Sequence, residues 1–285
     1  MQPGQQPQPS GSYYPQQAEQ YAVPPMIVPS QMPMMMPGQQ YGQPPNVPQH
    51  MLRHGYIAAT FGTYGETAYC AFLKCGLGQI PLMFSIPGCT GAYTVAQSVL
   101  PHLPYGWRAA DGAPVILLDC IIDQTRGPVV PQEVWMPNSP RVYDQHVVRA
   151  VLRPPTFFVH TDGSVGLPLP QILSGNFAVN NANAPVDVGR SSIHLHIKIH
   201  GYTDRKRQFQ TQESGQWIQL RRLVGHVGRA VDKYLREAEP DPEQPVPRLR
   251  IGAGGIVPAD VVVVGVVHVS SGSWMPILQL TRALA

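Results

Sequence analysis

Three histidines repeat along one short stretch of the chain: His194, His196 and His200. Side chains two residues apart on an extended strand point to the same side, and a His-x-His pair can chelate zinc or copper. A catalytic or structural metal site needs a third or fourth ligand, and groups that orient the first ones. No such partner can be picked out of the sequence. The row therefore reads first as the polar side of a strand. His194, His196 and His200 stay as weak metal candidates, and no cofactor is expected.

A second group could do electrostatic work. Between Arg190 and Arg236 there are ten Lys and Arg against Asp204, Glu213 and Asp232, a local charge of +7 in a chain whose formal charge is +3. Arg205, Lys206 and Arg207 sit in what reads as a polar turn. Arg222, Arg229, Lys233 and Arg236 fall on one face of a helical pattern. Such a stripe gives phosphate contacts that are salt-dependent and blind to base sequence. A solvated helix face carries charge anyway. No zinc finger, helix-turn-helix or aromatic RNA-binding signature accompanies it.

Other chemistry finds less support. Gly252-Ala253-Gly254-Gly255 lacks the Lys-Ser/Thr of a P-loop, no G-x-G-x-x-G opens a helix, and no G-x-S-x-G elbow occurs. The four cysteines, Cys70, Cys75, Cys89 and Cys120, have no paired metal spacing. Cys120 lies in an apolar run, where burial would quiet its thiol. Asp119 and Asp123 are close in sequence, which is weak evidence for acid–base work. No catalytic residue is assigned, and the expectation leans away from an enzyme.

The elements that hold these groups follow from periodicity. Ile193, Leu195, Ile197 and Ile199 alternate with the polar row, so one side of this strand is buried and the other is expected to be wet. Residues 208–212 read as a returning strand. Leu220, Leu223, Val224, Val227, Val231, Tyr234, Leu235 and Ala238 recur at three- and four-residue steps, which predicts an amphipathic helix over residues 217–239. Pro240 and Pro242 stop it. Its apolar stripe needs a sheet to cover it.

Earlier in the chain, residues 1–49 are rich in Gln, Pro, Tyr, Gly and Met, with Glu19 the only side-chain charge. Too few bulky aliphatics are present to offset the ordering entropy, so this tail is expected to be disordered. Residues 68–74 and 80–86 read as a hairpin, 93–102 as a short helix capped by Thr90, and 115–122 as a buried strand. Residues 123–140 read as a loop with Val134-Trp135-Met136 as an apolar contact. Strands are expected at 147–152, 156–160, 261–269 and 274–280, with a turn at Ser270-Ser271-Gly272-Ser273. Residues 68–122 and 193–269 would then share the order strand, turn, strand, helix, strand.

The second half resembles an uncharacterised family of proteins from mushroom-forming fungi (basidiomycetes). The residues that carry the resemblance are Asp162-Gly163-Ser164-Val165-Gly166-Leu167-Pro168-Leu169, Ile193 to Tyr202, the helix Leu220 to Leu235, and His268-Val269-Ser270-Ser271-Gly272-Ser273-Trp274-Met275-Pro276-Ile277-Leu278. Those relatives commonly have Trp-Pro-Gly-Tyr where this chain has Ile199-His200-Gly201-Tyr202, and often Lys at Ser271 and Gln at Met275. The resemblance spans residues 157–280 and has the Gly-Ser-Trp-x-Pro end as its most distinctive part. It implies a fungal, intracellular protein and carries no activity.

Together these readings predict an α+β protein. A mixed or antiparallel sheet is packed by one long amphipathic helix and one shorter helix, behind a disordered tail. The segments are 1–49, 50–150 and 151–285, the last two free to share one domain. The longest apolar run, 261–269, is far short of the roughly 20 residues that cross a bilayer. No basic, apolar leader opens the sequence, so an intracellular location without a signal peptide is expected. The expected role is non-enzymatic contact with a protein partner. A nucleic-acid or anionic-surface binder through Arg205, Lys206, Arg207, Arg222, Arg229, Lys233 and Arg236 is the first alternative, and an enzyme with an unrecognised site the second.

Overall fold

The computed structural model describes residues 55–62, 119–137, 152–244 and 249–283, the isolated positions 139, 141 and 146, and the backbone of 82–85, 93–97, 105–109 and 114–118. The expected tail 1–49, the strand 68–74, Cys70, Cys75 and Cys89, and residues 147–151 lie outside the described residues.

The first elements are α1 (Tyr56–Phe61), β1 (Leu82–Ser85), β2 (Tyr93–Gln97), β3 (Tyr105–Ala109) and β4 (Pro114–Cys120). The four strands form a sheet in the order β1-β4-β3-β2, parallel between β1 and β4 and antiparallel elsewhere. The expected helix at 93–102 is therefore wrong. Tyr93, Thr94 and Val95 are aromatic and β-branched, and such residues pack well on a pleated surface. Their strand pairs with β3 from Tyr93↔Ala109 to Gln97↔Tyr105. Without that helix, the order shared with 193–269 disappears among the described residues.

The second half adds β5 (Thr156–Phe157), β6 (Leu167–Pro168), α2 (Leu169–Ser174), β7 (Ser192–Ile197), β8 (Arg205–Gln210), β9 (Gln212–Glu213), β10 (Gln216–Trp217), α3 (Leu220–Glu237), a 3-10 turn (Pro258–Asp260), β11 (Val261–Ser270) and β12 (Ser273–Leu280). Six of these strands make a mixed sheet, β5-β11-β12-β7-β8, with β6 also on β11. All pairs are antiparallel except β12 with β7. This is the expected α+β class with a mixed sheet.

Every residue of β11 and β12 is buried, because this sheet is covered on both faces. A bulge sets the alternation. Val263 pairs with Leu278 but Gly265 with Ile277, so Val264 is an extra residue. Before the bulge Val261 and Val263 point to the α3 side, and after it Val266 does. Val262, Val264, Val267 and Val269 point to the other side.

On the first face lies α3. Leu220, Leu223, Val224, Val227, Val231, Tyr234 and Leu235 are all buried, in one cluster with Ile193, Leu195, Ile197, Trp274 and Leu278. The helix is shorter than the sequence suggests by three residues at its start, because Gln216 and Trp217 pair with β9 instead. Trp274 is a core anchor, 1% exposed.

Helix α2 crosses α3 at Gly228. A Cβ there would lie 2.4 Å from Ile172 Cγ2 and 3.2 Å from Ile172 Cβ. Gly228→Ala is expected to cost about 1–3 kcal/mol of overpacking, reduced by up to about 1 kcal/mol of gained helix propensity. A net loss of stability in urea unfolding checks this, and Ile172→Ala in the same background should relieve the clash.

On the second face lie α1 and the end of β4. Tyr56, Ile57, Phe61 and Cys120 pack on Phe157, Val159, Met275 and Ile277. Helix α1 and the end of β4 thus share a core with the second sheet. Buried Asp119 caps α1: its two carboxylate oxygens accept the Ile57 N–H at 3.2 and 3.1 Å, and one also accepts the Cys120 N–H at 2.8 Å. The Ile57 N–H is an orphan donor at the start of α1. Asp123 instead accepts hydrogen bonds from the Thr125 N–H and hydroxyl and pairs with Arg126 at 3.2 Å. Both carboxylates are thus engaged in holding local structure.

Candidate functional site

The expected turn at Asp204–Arg207 is corrected by β8. The reversal lies upstream, at Ile199–Asp204, and Arg205, Lys206 and Arg207 are strand residues. Arg205 pairs with Ile197, Lys206 with His196 and Arg207 with Leu195. Cross-strand partners share a face, so Arg205, Arg207 and Phe209 lie on the α3 side with Ile193, Leu195 and Ile197. Lys206 lies on the opposite side.

β8 ends the sheet. It pairs with β7, and no described residue pairs with its other side. An edge strand leaves a row of backbone donors and acceptors open. Arg205, Lys206, Arg207 and Gln208 along this edge are exposed, while Phe209 is buried.

Helix α3 brings its cations to the same edge. Phe209 stacks on His226 with ring centroids 4.8 Å apart and planes 5° apart. Burial and the guanidinium groups of Arg229, Arg222 and Arg207 hold the His226 imidazole below its ordinary value, against an opposing pull from Glu213. The ring is therefore neutral near pH 7, and the positive charge belongs to the arginines. Arg229 approaches the His226 ring at 3.4 Å and lies back over Gly225.

Several cations are already matched. Arg222 pairs with Glu213, Arg205 with Glu239 at 3.2 Å, Arg236 with Asp232 at 3.0 Å, and Lys233 with Glu237 at 3.9 Å. Lys206, Arg207 and Arg229 have no carboxylate partner among the described residues. The seven expected basic residues thus divide. Arg207, Arg222 and Arg229 converge around His226, with Lys206 and Glu239-paired Arg205 along the same edge strand, while Lys233 and Arg236 continue along the exposed face of α3. His226 and Phe209 are not among the residues that composition and charge pick out of the sequence. The spacing of His226, four after Arg222 and three before Arg229, is the signal that places it on their face.

The histidine row fares differently. Its side of β7 is not wet along its length. Segment 129–136 runs beneath it, joined by the Glu133 N–H to Lys198 O bond at 2.9 Å and the Gln132↔Ile199 bridge. Trp135 covers His196, with ring centroids 4.2 Å apart, and His196 is 2% exposed. Its Nδ1 lies 3.4 Å from Asp204, whereas the Nδ1 of half-exposed His200 lies 3.4 Å from Glu133. His194 is 6.3 Å from His196 by ring centroid, and burial with the Lys206 charge favours its neutral form. The three rings answer to different neighbours. Among the described residues no group of three or more His, Cys, Asp or Glu could hold a metal ion.

Among the described residues no helix is long and apolar enough to cross a membrane. Comparison with protein-family models, with curated proteins and with solved structures found no match to the chain.

Proposed function

We propose that this protein works by binding rather than by catalysis, and that its contact surface is the basic edge formed by β8 and the neighbouring face of α3. The partner is a protein that offers an acidic, extended segment. The observation that carries this reading is an open edge strand bordered by cations, Lys206, Arg207 and Arg229, that lack carboxylate partners among the described residues. Main-chain hydrogen bonds of an added strand give affinity, and alternate side chains give specificity. Here Arg205 and Arg207 would read one face of the incoming strand and Lys206 the other. The same charges repel a second copy of β8, so the edge is guarded against self-pairing and selective for acid. The setting we propose is the interior of a fungal cell, on the resemblance carried by residues 157–280.

A labelled peptide alternating glutamate and threonine provides the test, read by fluorescence anisotropy. Binding is expected to weaken as salt rises from about 50 to about 200 mM, because exposed charges are screened over that range. Arg207→Glu combined with Arg229→Glu should lower affinity at least about tenfold, equivalent to about 1.4 kcal/mol. Single-stranded RNA serves as the competitor. RNA binding that survives about 150 mM salt while the peptide fails would favour phosphate recognition by the same arginines.

A further inference from the structure

A polar cavity of about 290 Å³ lies at the turn between β11 and β12, lined by Arg153, Val188, Gly189, Arg190, His268, Ser271 and Gly272. It is built from three separate segments, and it uses none of the residues of the basic edge.

His268 is its most informative wall. The residue is 5% exposed, and its ring stacks on Trp274 with centroids 4.7 Å apart. The Arg153 backbone N–H donates to its Nδ1 at 2.9 Å. With Nδ1 accepting, the neutral ring must carry its proton on Nε2. Burial above all, then the Arg153 charge and least of all that of Arg190, depress the ring to about 4 against an opposing hydrogen-bonding pull of the Ser270 backbone, so it is neutral at physiological pH. Nε2 is buried, and no acceptor lies in good hydrogen-bond geometry to it. A buried donor left unmatched costs about 1–3 kcal/mol. A chain retains such a group most readily where something else supplies the acceptor.

Two guanidinium groups border the same space. Arg153 pairs with Asp187 at 2.9 Å, and Arg190 donates to the Ser271 hydroxyl at 2.5 Å. Each lies over a glycine of positive φ. A Cβ on Gly189 would meet Arg153 Nε at 2.6 Å, and one on Gly272 would meet Arg190 Cδ at 3.1 Å. The two left-handed glycines thus let both arginines lie against the backbone beside the cavity. Asp187 offsets one of the two positive charges and accepts the Gly189 N–H at 2.7 Å. The Arg190 charge is unmatched by any carboxylate among the described residues.

We infer that this cavity binds a small phosphate-type oxyanion, either inorganic phosphate or the head of a phosphate monoester. Arg190 and Arg153 supply charge in the planar geometry that suits tetrahedral oxyanions. The Ser271 hydroxyl and the His268 Nε2–H supply neutral donors. The volume is at the lower end for small-molecule pockets, about 300–1,000 Å³, which restricts an ester to a compact one.

The test uses the full chain, inorganic phosphate and phenyl phosphate, each titrated calorimetrically in chloride buffer. Long-range proton–nitrogen NMR follows the His268 ring in parallel. A dissociation constant below about 1 mM for at least one probe is expected, with displacement of the His268 Nε2 resonance. Arg190→Met and Ser271→Ala alter partly exposed donors outside the apolar clusters. In either variant, shown to be folded by its thermal melt, affinity should fall, by at least about tenfold for Arg190→Met. Tighter binding of phenyl phosphate marks a monoester as the ligand, and equal or weaker binding marks free phosphate. The inference is overturned if neither probe binds at about 10 mM, if Arg190→Met leaves binding unchanged, or if the Nε2 resonance stays in place at saturation.

Discussion

Leu223→Ala is expected to lower the free energy of unfolding by about 2–5 kcal/mol. Leu223 is fully buried, on the α3 stripe that seals one face of the six-stranded sheet. Truncation removes apolar surface that had left water and leaves a cavity that the fixed β7, β11 and β12 backbones can close only in part. Lys233→Ala is the control on the opposite side of the helix. Its amine is largely exposed and sits 3.9 Å from Glu237, so a change within about 0.5 kcal/mol is expected. Urea unfolding of both variants gives the comparison. Equal, small effects would mean that α3 does not rest on the sheet.

The second large effect is one of pH. The His268 ring titrates at about 4 in the folded chain and near 6.5 when unfolded. Between those values the unfolded state binds the extra proton, so stability falls as the pH drops through that window. Each pH unit is worth about 1.4 kcal/mol, which gives about 2 kcal/mol lost by pH 5 and about 3 kcal/mol by pH 4. Asp123, Glu133 and Asp162 have carboxyls held below their ordinary values, so they contribute little above pH 5. His268→Asn keeps an acceptor near the position of Nδ1 and cannot titrate. Its stability between pH 7 and 5 should fall less steeply than that of the unaltered chain, by about 2 kcal/mol at pH 5. Identical slopes would show that His268 is not the group responsible.

What the sequence could reveal was decided by whether a pattern is local. The α3 stripe is local: residues three and four apart meet on one face, so Leu223, Val227 and Val231 could be read as buried. The valine run of β11 was legible as a covered strand for the same reason, although the bulge at Val264 that sorts its two faces was not. Residues 93–97 show the limit. Their helix-like spacing is short, and the pairing with 105–109 that makes them a strand comes from outside the segment. The wet side assigned to β7 failed similarly. Trp135, some sixty residues upstream of His196 in the chain, covers it; the sequence marks residues 134–136 as an apolar contact and leaves the partner open. Of the candidate site, the cations were visible and their assembly was not. That Arg207 on β8 meets Arg222 and Arg229 on α3 around His226 depends on how the helix lies across the sheet edge. The cavity at His268 was hidden more completely, since Arg153, Arg190 and Ser271 are far apart in sequence and His268 reads only as a break in an apolar run.

Backbone hydrogen exchange of β8, with and without the glutamate–threonine peptide, tests the central claim most directly. Strand addition along the open edge predicts slowed exchange of β8 amides on binding, confined to that edge and absent in the Arg207→Glu, Arg229→Glu chain. Exchange of β8 that is unchanged while the peptide is bound would contradict it.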